Sequence, residues 1–352
     1  MDPDPDWYLD NVLINAAPGR FDRVDQSRVP TREWRVWWQR QWRSLGGDVA
    51  SAIARDQGFV LTVHQLGMCG WAEHDLRREI RRGSWWSPCW GAASPVVVAP
   101  SKDGYLDARR RHAIASAAAA LLRPGQVVSG RSAAILHGLP TTHVPQAPEL
   151  TVAPPTTLGR RGSAHLYSAT LGLDEVTTWY GTPVTTVGRT LVDTARHNAR
   201  DGLMAADAAL RARLVNREQI SAALRAATGW PGVRRAREVL PLASPRAESA
   251  LESVVRLTLY DAGFPTPELQ VEVSDPKLQR VYRVDLLLRE MRMIIEADGK
   301  GKYTDAELWN EKVREGRLRV LTRCRVERII WADLTPANWP DTEQRLRLPP
   351  AA

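Results

Sequence analysis

RVDLLLREMRMIIEADGKGKY, Arg283 to Tyr303, decides how the end of the chain is read. Two apolar runs flank the polar tip Arg289-Glu290-Met291-Arg292, a pattern that predicts a β-hairpin. With the turn centred between Glu290 and Met291, Leu288 opposes Met293, Leu286 opposes Ile295 and Val284 opposes Ala297 on one apolar face. Strand side chains alternate with a period of two, so this face belongs against a core. The other face sets Leu287 against Ile294, Asp285 against Glu296 and Arg283 against Asp298. Opposed residues on neighbouring strands stand roughly 5 Å apart at Cβ, where like charges repel unless something positive lies between them. A divalent cation fits that place, because hard cations prefer carboxylate oxygens. The plainer alternative pairs Asp285 with Arg283 or Arg292 and leaves the acids as solvated rim charges.

The flanks favour the cation. Glu296 and Asp298 leave one strand on one face, Gly299 ends it, and Lys300 and Lys302 follow. Upstream, a predicted helix from Ala247 to Ala262 places Glu248 and Glu252 in one stripe with Val255 and Leu259. A carboxylate on a core-facing stripe needs a partner.

An acid on a helix, an acid on a strand, and an acidic pair followed by lysine on the next strand resemble the PD-(D/E)XK nuclease core. The Glu-Ala-Asp-Gly run is similar to that of its Vsr-like endonuclease branch, and LWNEKVREGRLRVLTRCRVERIIWADL to that group's closing helix and strand. The resemblance implies a restriction-endonuclease-like αβββαβ core that binds Mg²⁺ or Mn²⁺. Asp285, Glu296 and Asp298 would be its ligands, Glu252 would complete or orient the shell, and Lys302, or Lys300, would sit near the phosphate or the attacking water. One departure stands out: the position two after Glu296, lysine in the wider superfamily, is Asp298.

At 352 residues the chain is long enough for two or three domains. Its 43% hydrophobic and 25% charged residues are ordinary for a globular protein. A net charge of +8 favours polyanionic partners. Cys69, Cys89 and Cys324 are widely spaced, give neither a disulfide framework nor a zinc site, and fit a reducing cytoplasm. No apolar run approaches the ~20 residues that span a bilayer, and the acidic N-terminus does not resemble a signal peptide.

Residues 1–47 read as an extension, disordered or partly helical. Within it TREWRVWWQRQWRSL interleaves Arg and Trp, as a helix lying on nucleic acid would. From Asp48 the signals sharpen. DVASAIARDQG reads as a helix closed by Gly58, and Thr62 with Gln65 forms a capping-box pattern that starts a second helix. Gly67 and Gly70 mark a turn, and WAEHDLRREIRRG is a third helix ended by Gly83. Leu76 and Ile80 should face inward, which leaves His74, Arg77, Arg78, Arg81 and Arg82 toward solvent. SWWSPCWGAASPVVVAP then offers two short strands. Helix, turn, basic helix and strand pair over residues 48–100 describe a winged helix-turn-helix, in which arginines of the last helix read guanine or grip phosphates of double-stranded DNA. The plainer reading is a helical subdomain with a solvated basic face.

FVLTVHQLGMCGWAEHDLRREIRRGSWW, VVSGRSAAILHGLP and YGTPVTTVGRTLVDTARH resemble successive segments of the AbiEi-type antitoxin family. The resemblance runs from about Ala52 to Leu334. It implies a winged helix followed by an α/β domain, a cognate nucleotidyltransferase toxin as a possible partner, and for relatives of similar composition a Vsr-like end. Residues 101–241 accordingly read as a mixed α/β middle domain, with helices at ARRRHAIASAAAALLRPG and GRSAAILHGLP and strands at Glu149–Val152, Ala164–Tyr167 and Thr182–Val187. Three Ala/Leu-striped helices and the basic GWPGVRRAREVL follow. TLGRRGS is a basic loop, and His137, His165 and His197 lack ligand spacing. LASPR, Leu242 to Arg246, is the linker into residues 245–335, whose helix Thr304–Leu321 should turn Leu308, Val313 and Leu318 inward and Lys312, Arg314, Arg317 and Arg319 outward. Residues 336–352 read as a loose tail.

The sequence therefore predicts a multidomain α/β protein of the cytoplasm and nucleoid. It binds DNA and carries a metal-dependent endonuclease-like domain, in a phage-defence or toxin–antitoxin setting. The alternative is a non-catalytic antitoxin and autorepressor with a degenerate nuclease fold, which a salt bridge between Arg283 and Asp298 would favour.

Overall fold

The computed structural model describes residues 32–154, 159–299 and 305–348. Among these the chain is a mixed α/β protein with three small sheets and thirteen α-helices. It divides into two compact units. One holds the described part of Ser27–Ala205 with Val215–Pro241, and the other holds Ala206–Leu214 with the chain from Leu242.

The first unit opens with α1 (Arg32–Ser44). Trp34 and Trp38 lie one turn apart and are 3% and 1% exposed, so the expectation of a helix laid on nucleic acid is corrected here: its indoles are core. Trp38 meets Phe59 at 5.1 Å and Trp179 at 4.9 Å between ring centroids. Arg109 and Arg110 lie over Trp34 and Trp37 at 4.9 and 4.5 Å, cation–π contacts that add to the hold on the helix.

Next come α2 (Val49–Arg55), β1 (Leu61–Thr62), α3 (Val63–Met68), α4 (Glu73–Arg82), β2 (Trp86–Cys89) and β3 (Ala92–Ser94). Asp48 caps α2 by accepting from the Ser51 amide, and Thr62 and Gln65 make the expected reciprocal cap of α3. Gly83 ends α4 at φ +75°. The turn between α3 and α4 uses Gly70 at φ +84°, whereas Gly67 lies inside α3. The strands form an antiparallel sheet in the order β1-β3-β2, over a small core of Ala50, Ala54, Leu61, Leu66, Trp85 and Ala93. Leu76 packs against this core; Ile80, expected inward, is 36% exposed.

The rest of the unit is α5 (Gly104–Leu121), β4 (Val127–Val128), α6 (Gly130–Leu136), β5 (Glu149–Val152), β6 (Gly159–Arg161), β7 (Ala164–Ser168), β8 (Val176–Trp179), β9 (Thr182–Thr185), α7 (Val187–His197), α8 (Ala199–Arg211), α9 (Arg217–Ala226) and α10 (Val233–Val239). The last residues of α8 belong to the second unit. The sheet runs β6-β7-β5-β4-β9-β8, with β4–β9 and β5–β7 parallel and the other pairs antiparallel. Part of TLGRRGS is therefore the edge strand β6, and residues 157–158 of it lie outside the described residues. Gly181 shows how closely the α2 turn meets the β8–β9 hairpin: its φ is +81°, and a Cβ there would stand 1.9 Å from the Asp56 carbonyl oxygen. Beside it the Gly58 amide donates to the Tyr180 carbonyl at 2.6 Å.

The second unit contains α11 (Ala250–Asp261), β10 (Glu268–Asp275), β11 (Arg280–Leu288), β12 (Met293–Ala297), α12 (Asp305–Thr322), β13 (Arg325–Ile329) and α13 (Trp339–Arg347). Strands β10, β11 and β12 form an antiparallel meander, and β13, returning after α12, pairs parallel to β12. The hairpin register is the expected one over Leu286↔Ile295, Leu287↔Ile294 and Leu288↔Met293. Both faces are buried there, Leu287 and Ile294 packing with Val284, Leu318 and Cys324.

Three expectations are corrected in this unit. Ser249 caps α11, so Glu248 precedes the helix instead of sharing a stripe with Glu252. On α12, Leu318 is buried but Val313 is 49% exposed, while Arg314 and Arg317 turn inward to Glu296 and Asp275. Leu308 has a side chain outside the described residues. The supposed tail forms α13, which buries Thr342 and Leu346 and lays Arg347 over Phe264 at 4.4 Å.

Replacing Trp38 with Ala removes the centre of the aromatic cluster and should cost about 3–5 kcal/mol in denaturant unfolding. A loss under about 1 kcal/mol would show that α1 is peripheral.

Candidate functional site

The second unit's buried polar cluster takes Glu252 from α11, Gln270 from β10 and Asp285 from β11. The Ser249 hydroxyl accepts from the Glu252 amide at 3.1 Å and so fixes the first turn of α11. Glu252 is 3% exposed. Its Oε2 accepts from the Glu248 amide at 3.0 Å and from Gln270 Nε2 at 2.9 Å. The same Nε2 donates to Asp285 Oδ1 at 3.3 Å, and Asp285 Oδ2 accepts from the Ala297 amide at 2.9 Å. The β10–β11 register, Leu269↔Leu286 and Val271↔Val284, sets Gln270 opposite Asp285. One neutral amide thus bridges two carboxylates. Sequence reasoning missed Gln270, because a glutamine in an alternating strand carries no signal of its own.

Glu296 and Asp285 are not ladder partners, which corrects the expected opposition. The β11–β12 ladder reaches only to Leu286↔Ile295, while on its other edge β12 pairs with β13 from Met293↔Arg325 to Ala297↔Ile329, with Glu296 beside Arg328. Glu296 is 8% exposed, and its Oε1 lies 3.0 Å from Arg314 Nη2, which also donates to the Arg283 carbonyl at 2.8 Å. Arg283 turns to Glu248 at 2.6 Å rather than to Asp298. The half-buried Asp298 donates its amide to the Ile329 carbonyl at 3.0 Å. Lys300 and Lys302 lie outside the described residues. Among the described residues no three His, Cys, Asp or Glu side chains form a group close enough to hold a metal ion.

Burial, and then repulsion from Asp285, pushes the Glu252 carboxyl up to about 7 from 4.5. Burial also raises the Asp285 carboxyl, against the hydrogen bonds from Ala297 and Gln270. In chemical terms, the two buried carboxylates share one neutral amide donor, while Glu296 is held by an arginine.

In the first unit, α4 presents His74, Arg77, Arg78, Arg81 and Arg82, all exposed as expected. Arg77 pairs with Glu73 at 2.6 Å, Arg78 with Asp75 at 2.9 Å and Arg82 with Glu79 at 3.1 Å, and His74 lies 3.4 Å from Asp75. Such exposed pairs are weak and exchange readily for phosphate. Arg81 makes no ion pair among the described residues. Of the three histidines that lack ligand spacing, His137 meets the Thr185 carbonyl at 2.7 Å, and Tyr167 lies between His165 and the exposed His197 at 4.8 and 5.0 Å. No described helix is long and apolar enough to cross a membrane.

No family model matches this chain. It is 37% identical over 134 residues to "Uncharacterized protein Rv2248" of Mycobacterium tuberculosis strain H37Rv, and equally to "Uncharacterized protein MT2308" of strain CDC 1551. The match covers 38% of this chain and 49% of each relative, so the chain spans about half the length of the curated relatives it matches. A solved structure, "Crystal structure of RV2827C protein from Mycobacterium tuberculosis", is 20% identical, covering 68% of this chain and 90% of that one. Its TM-score of 0.32 is too low to assign a fold by likeness.

A carboxyl whose pKa is higher folded than unfolded stabilises the folded chain while protonated, and the effect is lost as pH rises through the interval between the two values. In cation-free buffer, raising the pH from about 5 to about 8 should therefore lower stability, by on the order of 2 kcal/mol from this group. Glu252→Gln should flatten that stretch of the pH–stability curve; an unchanged slope in the variant would mean that Glu252 does not titrate there.

Proposed function

We propose that the protein binds double-stranded DNA through the exposed arginines of α4 and hydrolyses DNA phosphodiester bonds in its second unit with the help of Mg²⁺ or Mn²⁺. The observation that carries the hydrolytic part is the buried Glu252–Asp285 pair, bridged by one amide and set within an α-β-β-β-α-β succession whose last strand runs parallel to the third. The α-β-β-β-α-β succession is the one implied by the resemblance to Vsr-like endonucleases. Asp285 would hold the cation with Glu296, Asp298 would be a further ligand, and Glu252 would complete or orient the shell. The cation would supply a water of lowered pKa and charge stabilisation at the phosphate. Arg314, now tied to Glu296, places a guanidinium beside the acids, where it can exchange a carboxylate for a phosphate oxygen. Lys302, or Lys300, would take the superfamily's lysine role that Asp298 vacates. The setting would be the nucleoid, in phage defence.

A second reading is supported by the Arg314–Glu296 pair and by Asp298 where the superfamily carries lysine. In it the chain is a non-catalytic AbiEi-type antitoxin and autorepressor that partners a nucleotidyltransferase toxin.

Two variants separate the parts. Asp285→Ala should reduce Mg²⁺-dependent cleavage of supercoiled or mismatched DNA at least a hundredfold and leave DNA affinity unchanged; cleavage that survives in this variant would end the assignment. Arg77→Ala with Arg81→Ala should weaken DNA binding and reduce the slope of log K against log salt by roughly 2. Normal binding by the double variant would move the DNA contact away from α4.

A further inference from the structure

Gln270 is built into its strand at a conformational cost. Its φ is +53°, inside β10, where a side-chain-bearing residue is normally extended. Such a residue persists only when its surroundings hold it there, at a cost of about 1–3 kcal/mol. What holds it is the pair of acids: Nε2 lies 2.9 Å from Glu252 and 3.3 Å from Asp285. The other end of the same amide has no partner among the described residues, since Oε1 is buried and accepts no hydrogen bond from them. An unpaired buried carbonyl oxygen costs about 1–3 kcal/mol. Rotating the amide by half a turn would not relieve it, because Oε1 would then face both carboxylates. The orientation is therefore dictated by the negative charge of the acids, at the expense of the oxygen.

We propose that Gln270 is a charge-dependent lock on this site. In the cation-free protein its amide NH₂ bridges Glu252 and Asp285 in place of a cation, and when a divalent cation binds, the amide rotates and presents Oε1 to it. The inference rests on the reading of the acids as a cation site and adds a residue and a motion to it. The same rotation answers both unexplained features, because a cation gives Oε1 the partner it lacks and takes the place of the hydrogen bonds that Nε2 now donates to the acids. The αL backbone keeps the amide within reach in both states. A glutamine suits this role because its two ends have opposite polarity at equal reach.

The test is Mn²⁺ titration of the full chain by calorimetry, with thermal unfolding in EDTA alongside, for the natural protein, Asp285→Ala, Gln270→Met and Gln270→Glu. Asp285→Ala tests the site itself: Mn²⁺ binding by the natural protein that this variant loses supports it. Gln270→Met, which keeps length but loses both polar ends, should weaken Mn²⁺ about tenfold and lower the unfolding temperature in EDTA. Gln270→Glu should move the two readouts apart, less stable than the natural protein in EDTA at pH 8 yet at least as tight for Mn²⁺. A merely structural glutamine would not produce that divergence. Natural Mn²⁺ affinity in Gln270→Met, or Gln270→Glu falling in both readouts, overturns the lock while leaving the site standing. Absence of Mn²⁺ binding by the natural protein, or its persistence in Asp285→Ala, overturns the site and the lock together.

Discussion

Two carboxylates, Glu252 and Asp285, are buried side by side with one amide between them, and the architecture of the second unit can be traced from that constraint. Charge withdrawn from water must be neutralised, shared or protonated. Here each route is partly used. Gln270 donates to both acids, the Ala297 amide takes the far oxygen of Asp285, and the Glu252 proton is held up to about 7. The elements are arranged to deliver these donors. Ser249 fixes the start of α11 so that Glu252 points inward, the β10–β11 register brings Gln270 across from Asp285, and β12 parts from β11 just where its Ala297 amide can turn to Asp285.

The first unit answers a different constraint. Its sequence is rich in tryptophan and arginine, and the fold separates the two by function. Trp34 and Trp38 go inward against Phe59 and Trp179, with arginine planes stacked on α1, whereas the arginines of α4 remain on the surface in weak pairs. A helix that offers exposed arginines from a firmly packed base suits a partner carrying many phosphates.

Local signals were legible in the sequence. The capping box at Thr62, the αL glycine at Gly83 and the hairpin register around Leu287 each depend on a few neighbouring residues, and each is found as read. What was not legible depends on distant partners. Alternation alone sets Asp285 against Glu296, but the β11–β12 ladder ends at Leu286↔Ile295, and nothing near residue 296 announces that end. Arg314 and Arg317 look like surface residues of α12 until Glu296 and Asp275, on strands earlier in the chain, draw them inward. The Arg/Trp alternation of α1 fits a nucleic-acid surface as well as a core stripe, and only Phe59 and Trp179 decide for the core. Gln270 carried no sequence signal, and its importance comes from its neighbours and its backbone. The acids themselves were foreseen, while the geometry that groups Glu252 with Asp285 and leaves Glu296 to Arg314 was not.

The central claim is that the buried acids form a cation site, and anomalous scattering from Mn²⁺-soaked crystals tests it most directly. The account predicts a Mn²⁺ peak within coordination distance of an Asp285 carboxylate oxygen, with the Gln270 amide oxygen turned toward it. Crystals that take up Mn²⁺ elsewhere, or not at all, with Gln270 still bridging Glu252 and Asp285, would contradict it.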